Sequence, residues 1–205
     1  MIQGLLLAAG RSRRFGSDKR HALLGGEPLL LRTARRWLDA RDEVLGDVLV
    51  VLREPDAAER ELAQRLRQLG ASTTFCAEAR LGMGHSLAWG VLQTPRAEGW
   101  LIGLGDMPAL RPQSIRAVAH ALRPDGIVLP TLDGLRGHPV GFGSAYAGEL
   151  LALRGDNGAR TVLQAHRDAL QWLELEDPGL LLDVDDPEQL SRAAESQGES
   201  ATPQA

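Results

Sequence analysis

The stretch Leu5–Lys19, L-L-L-A-A-G-R-S-R-R-F-G-S-D-K, organises the predicted fold of this chain. It begins with apolar residues that end at Gly10, as a buried β-strand would. Residues 11–20 then carry five positive side chains and one negative side chain, although the whole chain has a net charge of −4. Small residues among them let the backbone approach a ligand and direct N–H groups at anions. The pattern predicts a phosphate-binding loop at the carboxyl edge of a parallel sheet.

This loop differs from two common phosphate-binding patterns, because it contains neither G-x-x-x-x-G-K-[ST] nor G-x-G-x-x-G. Composition alone therefore leaves a solvated basic turn as the alternative. The rest of the chain is acidic, which argues against a nucleic-acid partner and for one focused anion site.

The composition indicates a soluble globular chain of 205 residues, with 43% hydrophobic and 24% charged residues. We expect a single domain over residues 1–195 and a disordered polar tail over 196–205. Cys76 is the only cysteine, so no internal disulfide is possible and the cytoplasm is the simplest compartment. We interpret it as a small core residue. No apolar run approaches the length of a membrane span.

The alternation of strand and helix patterns predicts an α/β fold with a three-layer, doubly wound and mostly parallel sheet. Residues 134–143 are predicted to be a glycine-rich connection. After the first strand, the predicted strands are 47–52, 73–76, 100–105 and 126–130. The predicted helices are 28–38, 55–69, 113–122 and 187–194, with a further helix that follows the glycines and serine of 82–86 and runs to 92.

Aspartates at the ends of predicted segments are candidate magnesium ligands. Asp106 follows the strand 100–105, and the alternating Asp183 and Asp185 point to one side of an extended segment. Carboxylates at the loop edge of such a sheet suit Mg²⁺. The alternative for Asp106 is a cap on the next helix. The sequence does not decide between Asp183 and Asp185.

Three glycine-containing segments are further candidates for ligand contacts. Gly82 and Ser86 precede or begin a helix, where N–H groups and a hydroxyl can face an anion, although an ordinary loop and cap fit as well. His138 lies in a turn between glycines and is either structural or in contact with a substrate. Asp156 and Arg160 offer a carboxylate and a guanidinium to a polar ligand, or else a helix cap and an exposed salt bridge.

Six segments, in order along the chain, resemble the nucleotidyltransferases that attach CMP or GMP to the molybdenum cofactor. They are L-A-A-G-x-S-x-R-x-G-x-x-K from Leu7, G-M-x-x-S-L from Gly82, G-D-M-P from Gly105, G-H-P-V-x-F from Gly137, G-D-x-G-A-R from Gly155 and D-V-D-x-P-E-x-L from Asp183. The resemblance implies a Rossmann-like nucleotidyltransferase fold.

The resemblance also implies roles for individual residues. The implied catalytic residues are Arg14, Lys19 and Asp106. The implied nucleotide-binding residues are Leu7, Ala8, Ala9, Gly10, Arg11, Ser12, Arg13, Arg14, Lys19, Gly82 and Ser86. The implied acceptor-binding residues are His138, Asp156 and Arg160, and the implied Mg²⁺ ligands are Asp106, Asp183 and Asp185.

The implied reaction transfers CMP from CTP to the phosphate of molybdopterin and releases pyrophosphate. That phosphate is already an anion, so the step needs charge stabilisation rather than a general base. Ala9 favours CTP, since family members that use GTP tend to have L-A-G-G. Arg20 and His21 depart from the leucines that relatives often have there.

The alternatives are a GTP-dependent or sugar-phosphate nucleotidyltransferase, and a cofactor-binding chaperone without catalytic activity. A molybdenum hydroxylase is the implied protein partner of either an enzyme or a chaperone. Neither a nucleic acid nor a membrane is expected as a partner.

Overall fold

The computed structural model of the protein describes residues 1–10, 15–195 and 201–202. Eight of its strands form one mixed sheet and three short strands form a second. In chain order the strands are β1 (Ile2–Leu7), β2 (Leu23–Leu24), β3 (Glu27–Pro28), β4 (Leu45–Arg53), β5 (Ser72–Cys76), β6 (Gly99–Leu104), β7 (Ile127–Leu132), β8 (Leu135–Arg136), β9 (Val140–Gly143), β10 (Leu170–Glu174) and β11 (Ala201–Thr202). The helices are α1 (Leu29–Leu38), α2 (Ala57–Leu69), α3 (Met83–Leu92), α4 (Pro112–Ala121), α5 (Ala147–Leu151), α6 (Arg160–Ala165) and α7 (Pro187–Glu195).

The main sheet has the strand order β10-β7-β9-β6-β1-β4-β5, with β8 paired to β7. β9 is antiparallel to both of its neighbours, and the other pairs along this order are parallel. The predicted α/β class with a mostly parallel sheet is therefore confirmed. β1 lies in the interior of the sheet, which places the basic loop that follows it at the middle of the carboxyl edge.

Helices cover both faces of this sheet. Side chains of α1, α2 and α4 pack on one face, and side chains of α3, α5 and α6 pack on the other. The largely buried β1 shows the alternation that this requires, because Leu6 faces the first core while Leu5 and Leu7 face the second. The near-continuous apolar run that predicted β1 is thus explained by burial on two sides.

The second sheet consists of β2, β3 and β11, all antiparallel. Apolar residues of this sheet and of α7, among them Leu24 and Leu190, form a third and smaller core together with Val184. Ala201 and Thr202 pair with β2, so these two residues depart from the disorder predicted for 196–205. The other residues of that tail lie outside the described residues.

Three strands of the main sheet differ from the prediction. The glycine-rich segment predicted as a connection contains β8, which pairs with β7, and β9, which inserts between β6 and β7. Its Gly143 is needed for packing, since a Cβ there would collide with the backbone of Pro124. β10 has no strand-like hydrophobic alternation, because it is an edge strand that exposes Gln171 and Trp172. The helix α3 begins at Met83, earlier than predicted, and the short helices α5 and α6 were not predicted. The bounds of the other predicted strands and helices are within two residues of those observed.

Within the described part of the chain, no helix combines the length and the apolar character that crossing a bilayer requires.

The ring of Trp37 in α1 leaves room only for glycine at two positions of the central strands. Trp37 is fully buried, and its ring lies directly over the backbone of Gly103 in β6 and of Gly4 in β1. A Cβ on Gly103 would overlap the ring of Trp37, which has no free space to move into.

We therefore expect Gly103→Ala to destabilise the protein by about 1–3 kcal/mol through overpacking. Gly148→Ala in α5 is the matched control, because nothing lies near the position of its added Cβ and alanine favours a helix. Chemical denaturation of both variants measures the difference. Equal stabilities of the two variants would contradict the packing role of Trp37.

Candidate active site

The ends of β1 and β6 bring the L-A-A-G and G-D-M-P motifs side by side. Leu7 pairs with Leu104 in the parallel register of these strands. The Gly105 N–H then donates to the Leu7 carbonyl at 2.9 Å. A Cβ on Gly105 would approach the Cβ of Ala8 to 2.9 Å, so glycine is required for this close approach. The two motifs are neighbours because the central strands of a parallel sheet end at the same edge.

A cleft of about 460 Å³ opens at this edge. Sequence reasoning missed Ala79, Arg80, Met83, Leu104 and Gly105 in its lining, as well as Arg20. Arg80 had a recognisable signal, since it is a basic residue just before the G-x-G turn. The predicted site residues that line the cleft are Leu7, Ala8, Ala9, Gly10, Lys19, Gly82, Ser86, Asp106, Asp156 and Asp185.

Lys19, the only lysine in the sequence, joins two of the predicted metal ligands. Its Nζ donates to Asp106 Oδ2 at 2.6 Å and to Asp185 Oδ1 at 2.8 Å. The side chains of Lys19 and Asp106 are only 14% and 19% exposed, so water screens this ion pair less than a surface pair. Burial acts to lower the pKa of Lys19, but the two carboxylates outweigh it and raise the pKa. The ammonium is therefore charged at neutral pH.

The backbone explains why Asp185 meets Asp106. The Val184 N–H donates to the Asp106 carbonyl at 2.9 Å, which joins the end of β6 to the segment before α7. Asp186 and Gln189 then form a reciprocal capping box, and the Gln189 side chain also accepts from the Asp185 N–H at 2.6 Å. Sequence reasoning missed Gln189, although the D-x-x-Q spacing carries this signal.

The predicted alternative role of Asp106 as a helix cap is excluded. Asp177 accepts from the Arg111 N–H at 2.9 Å and from the Ser114 hydroxyl at 2.7 Å at the start of α4. Asp106 Oδ1 is instead buried, and none of the described residues supplies it with a hydrogen-bond partner. Asp183 is half-buried and does not line the cleft.

These carboxylates suit a divalent cation that shares its coordination with a substrate. Among the described residues, no three His, Cys, Asp or Glu side chains are grouped so that they could hold a metal. Mg²⁺, however, commonly takes one or two carboxylates and completes its shell with water and substrate phosphates. Asp106 and Asp185, with the unpartnered Oδ1 of Asp106, fit that pattern.

Gly82 places α3 against the loop that contains Asp156. Its φ is +129°, and a Cβ there would collide with the backbone of Gly155. The Gly84 N–H donates to the Gly155 carbonyl at 2.8 Å, so this donor of the helix N-terminus is already used. The predicted acceptor residue Asp156 thereby lies in the same cleft as the predicted nucleotide loop.

The other two predicted acceptor residues lie apart from this lining. Arg160 is exposed at the first residue of α6 and does not line the cleft. His138 does not line it either, and its buried Nδ1 has no hydrogen-bond partner among the described residues. Burial lowers the pKa of His138, while the charges of Asp106 and Asp183 act in the opposite direction. His138 therefore lies within electrostatic reach of the aspartates.

Arg20, to which the sequence assigned no role, lines the cleft but forms its ion pairs within the protein. Together with Asp18, Arg53 and Glu59 it forms a network of ion pairs, called here the Arg20 cluster. Burial acts to raise the pKa of Asp18, but the hydrogen bond and charge of Arg20 and the charge of Arg53 lower it to about 2. Arg11, Ser12, Arg13 and Arg14 lie outside the described residues, so their predicted roles stay predictions.

A second cavity of about 490 Å³ adjoins the first. Ala9, Ala79 and Arg80 line both cavities. The ends of β4 and β5, including Arg53 and Cys76, complete the wall of the second. The Cys76 thiol is buried, and burial raises its pKa, which agrees with the predicted role as a core residue.

Residues 4–170 match the family model of the MobA-like NTP transferase domain. The chain belongs to this family. Its fold is thus that of a nucleotidyltransferase, and the implied enzyme class is confirmed.

Three relatives show the range of this family. The purine catabolism protein PucB of Bacillus subtilis is 33% identical over 91% of this chain and 92% of its own length. A probable molybdenum cofactor guanylyltransferase of Chloroflexus aggregans is 37% identical, over 58% of this chain and 52% of its own. The structure of Rv0371c of Mycobacterium tuberculosis in complex with manganese is 25% identical, has a TM-score of 0.77, and aligns over 95% of this chain and 97% of that one.

The Arg20 cluster generates a prediction for acid stability. The stabilisation from Asp18 is fully present above its ordinary pKa of 3.8 and is lost as the pH falls to about 2, since the folded state lowers this pKa. We expect Asp18→Asn to cost about 1–2 kcal/mol at neutral pH. The difference in unfolding free energy between this variant and the unmodified protein should decrease as the pH falls from 3.8 to about 2. Thermal unfolding against pH measures it, and a difference that is constant down to about pH 2 would contradict the assignment.

Proposed function

We propose that this protein transfers CMP from CTP to the phosphate of a molybdopterin-type acceptor and releases pyrophosphate, with Mg²⁺ as cofactor. One observation carries the proposal. The single lysine lies between Asp106 and Asp185, next to the L-A-A-G turn and in a cleft that also holds Asp156. Such a site combines a cation for phosphates, a carboxylate pair for a metal and a polar group for an acceptor.

We assign one set of residues to the triphosphate and another to the metal ion. The backbone of Ala8–Gly10 and the Lys19 ammonium bind the triphosphate, with Arg13 and Arg14 assigned to it from the sequence pattern. Asp106 and Asp185 would hold Mg²⁺, which would neutralise charge on the reacting phosphate and on the leaving pyrophosphate. The Lys19 ammonium would bind a phosphate oxygen in place of one of these two carboxylates. Manganese in the similar Rv0371c structure supports a divalent cation here.

Base selection is assigned to the side of the cleft where Ala9 lies. Ala9 lines both cavities. A nucleoside that extends from the phosphate cleft into the second cavity passes the methyl group of Ala9, which favours the smaller cytosine. The alternative is GTP, which the names of several relatives as molybdenum cofactor guanylyltransferases favour.

The proposed acceptor and the proposed recipient enzyme are supported by separate observations. Asp156 in the cleft suits the donor edge of a pterin, and His138 and Arg160 remain proposed contacts from the sequence pattern. The name of PucB places that relative in purine catabolism, which supports a molybdenum hydroxylase as the recipient of the product. A chaperone without catalytic activity would need no carboxylate pair.

Carboxylate variants test the proposed metal ligands. We expect Asp106→Asn and Asp185→Asn each to reduce Mn²⁺ binding in the presence of CTP and to lower turnover about a hundredfold or more, because the charge that holds the cation is lost. Asp183→Asn is the matched control and should keep most of the binding, since Asp183 does not line the cleft. Electron paramagnetic resonance of Mn²⁺ measures the binding. A fully active Asp106→Asn variant would rule out this site.

Calorimetric titration with CTP and with GTP, each with and without Mg²⁺, tests the substrate. We expect CTP to bind about tenfold more tightly than GTP and only with Mg²⁺. An Ala9→Gly variant should narrow this difference by removing the methyl group. Tighter binding of GTP would overturn the base assignment but keep the reaction class, and binding of neither nucleotide would overturn the proposed function.

A further inference from the structure

Arg20 is almost fully buried although it directly follows Lys19 in the basic loop. Its guanidinium forms bidentate hydrogen bonds with two carboxylates. The distances are 2.8 and 2.6 Å to Asp18 and 2.6 and 2.8 Å to Glu59. Its Nη1 also donates to the Ala8 carbonyl at 3.1 Å. Arg20 also lines the cleft, but these five hydrogen bonds occupy Nε, Nη1 and Nη2 with groups of the protein. Arg20 therefore acts as an internal clamp rather than as a ligand for substrate phosphate.

Glu59 comes from outside the loop, in the first turn of α2. It is 1% exposed, and its N–H donates to the capping carboxylate of Asp56 at 2.8 Å. Arg53 at the end of β4 completes the Arg20 cluster, with its Nε 3.0 Å from Glu59 and its Nη2 2.7 Å from Asp18. Two positive and two negative groups thus balance. Removal of one of these charges would leave a buried charge without its partner, and this would destabilise the folded protein.

The interactions of Arg20 hold the backbone on both sides of Lys19. Asp18 and Arg20 flank Lys19 in the sequence, and Asp18 caps the short 3₁₀ turn Lys19–His21 by accepting from the Arg20 N–H at 3.2 Å. The bond from Arg20 to Ala8 ties the start of the same loop to the same guanidinium. The backbone on either side of the loop is therefore held to one group, so the flexible lysine side chain starts from a preset position.

We propose that Glu59 is a positioning residue for Lys19 and acts through Arg20. Glu59 touches neither cavity; it fixes the guanidinium that sets where the ammonium of Lys19 lies relative to Asp106 and Asp185. The consequence for substrate, which rests on the proposed function, is that Glu59 governs the affinity for the β- and γ-phosphates of the nucleotide and not for its base.

The position of Lys19 can be measured without any nucleotide, because labelling with ¹⁵N-lysine yields one side-chain ammonium signal. We expect Glu59→Gln to shift this signal towards that of free lysine and to speed its exchange with water. Glu61→Gln, an exposed change of the same kind two residues away on α2, should leave the signal unchanged. An unchanged signal in folded Glu59→Gln would overturn the proposal.

A double-mutant cycle with Lys19→Met then tests whether Glu59 acts through Lys19. Glu59→Gln should weaken binding of Mg²⁺–CTP about tenfold while cytidine binding stays unchanged. In the Lys19→Met background the same change should alter CTP affinity less than about twofold. Equal losses in both backgrounds, or a parallel loss of cytidine binding, would show a general structural role and overturn the proposal.

A second variant covers the case in which Glu59→Gln does not fold. Arg20→Leu combined with Glu59→Leu removes one charge of each sign, so folding should survive while the clamp is lost. The shifted lysine signal is expected here too, and an unchanged signal would overturn the proposal. If the unmodified protein binds no nucleotide, the proposed function fails, whereas the lysine signal still decides the positioning role.

Discussion

The ion pairs of Lys19 with Asp106 and Asp185 join three separate parts of the chain. Lys19 belongs to the loop after β1, Asp106 to the end of β6 and Asp185 to the segment before α7. Each carboxylate lies next to a group of the same charge, and the shared ammonium offsets their repulsion in a partly buried cleft.

This arrangement depends on the parallel sheet behind it. β1 and β6 are neighbours in register, so their carboxyl ends present L-A-A-G and G-D-M-P at one edge. The third part is brought in by a single backbone bond between Val184 and Asp106 and is then oriented by Gln189. Small residues are needed wherever these segments touch, as at Gly105 against Ala8 and at Gly82 against Gly155. The site is thus specified by close backbone packing as much as by charged side chains.

The positive charges of the basic loop have two different uses. Both Lys19 and its neighbour Arg20 line the cleft, but Lys19 pairs with Asp106 and Asp185, whereas Arg20 pairs with Asp18 and Glu59. A buried arginine suits that task, because its planar group holds two carboxylates and a carbonyl at once, while a lysine presents a point charge on a flexible stem. The chain contains many arginines and a single lysine, and the lysine occupies the position where a movable charge is useful.

The amino-acid sequence by itself determined the fold class and the nucleotidyltransferase family. The apolar runs of β1, β4 and β6 are strong signals since these strands are buried on both faces, and the motifs are local in sequence. β9 and β10 escaped prediction, because glycines in β9 serve packing and the edge strand β10 is exposed. Only the tertiary structure decided that Asp185 rather than Asp183 meets Lys19, and that Arg20 is a clamp held by Glu59. These outcomes depend on contacts between residues far apart in sequence, which no local pattern encodes.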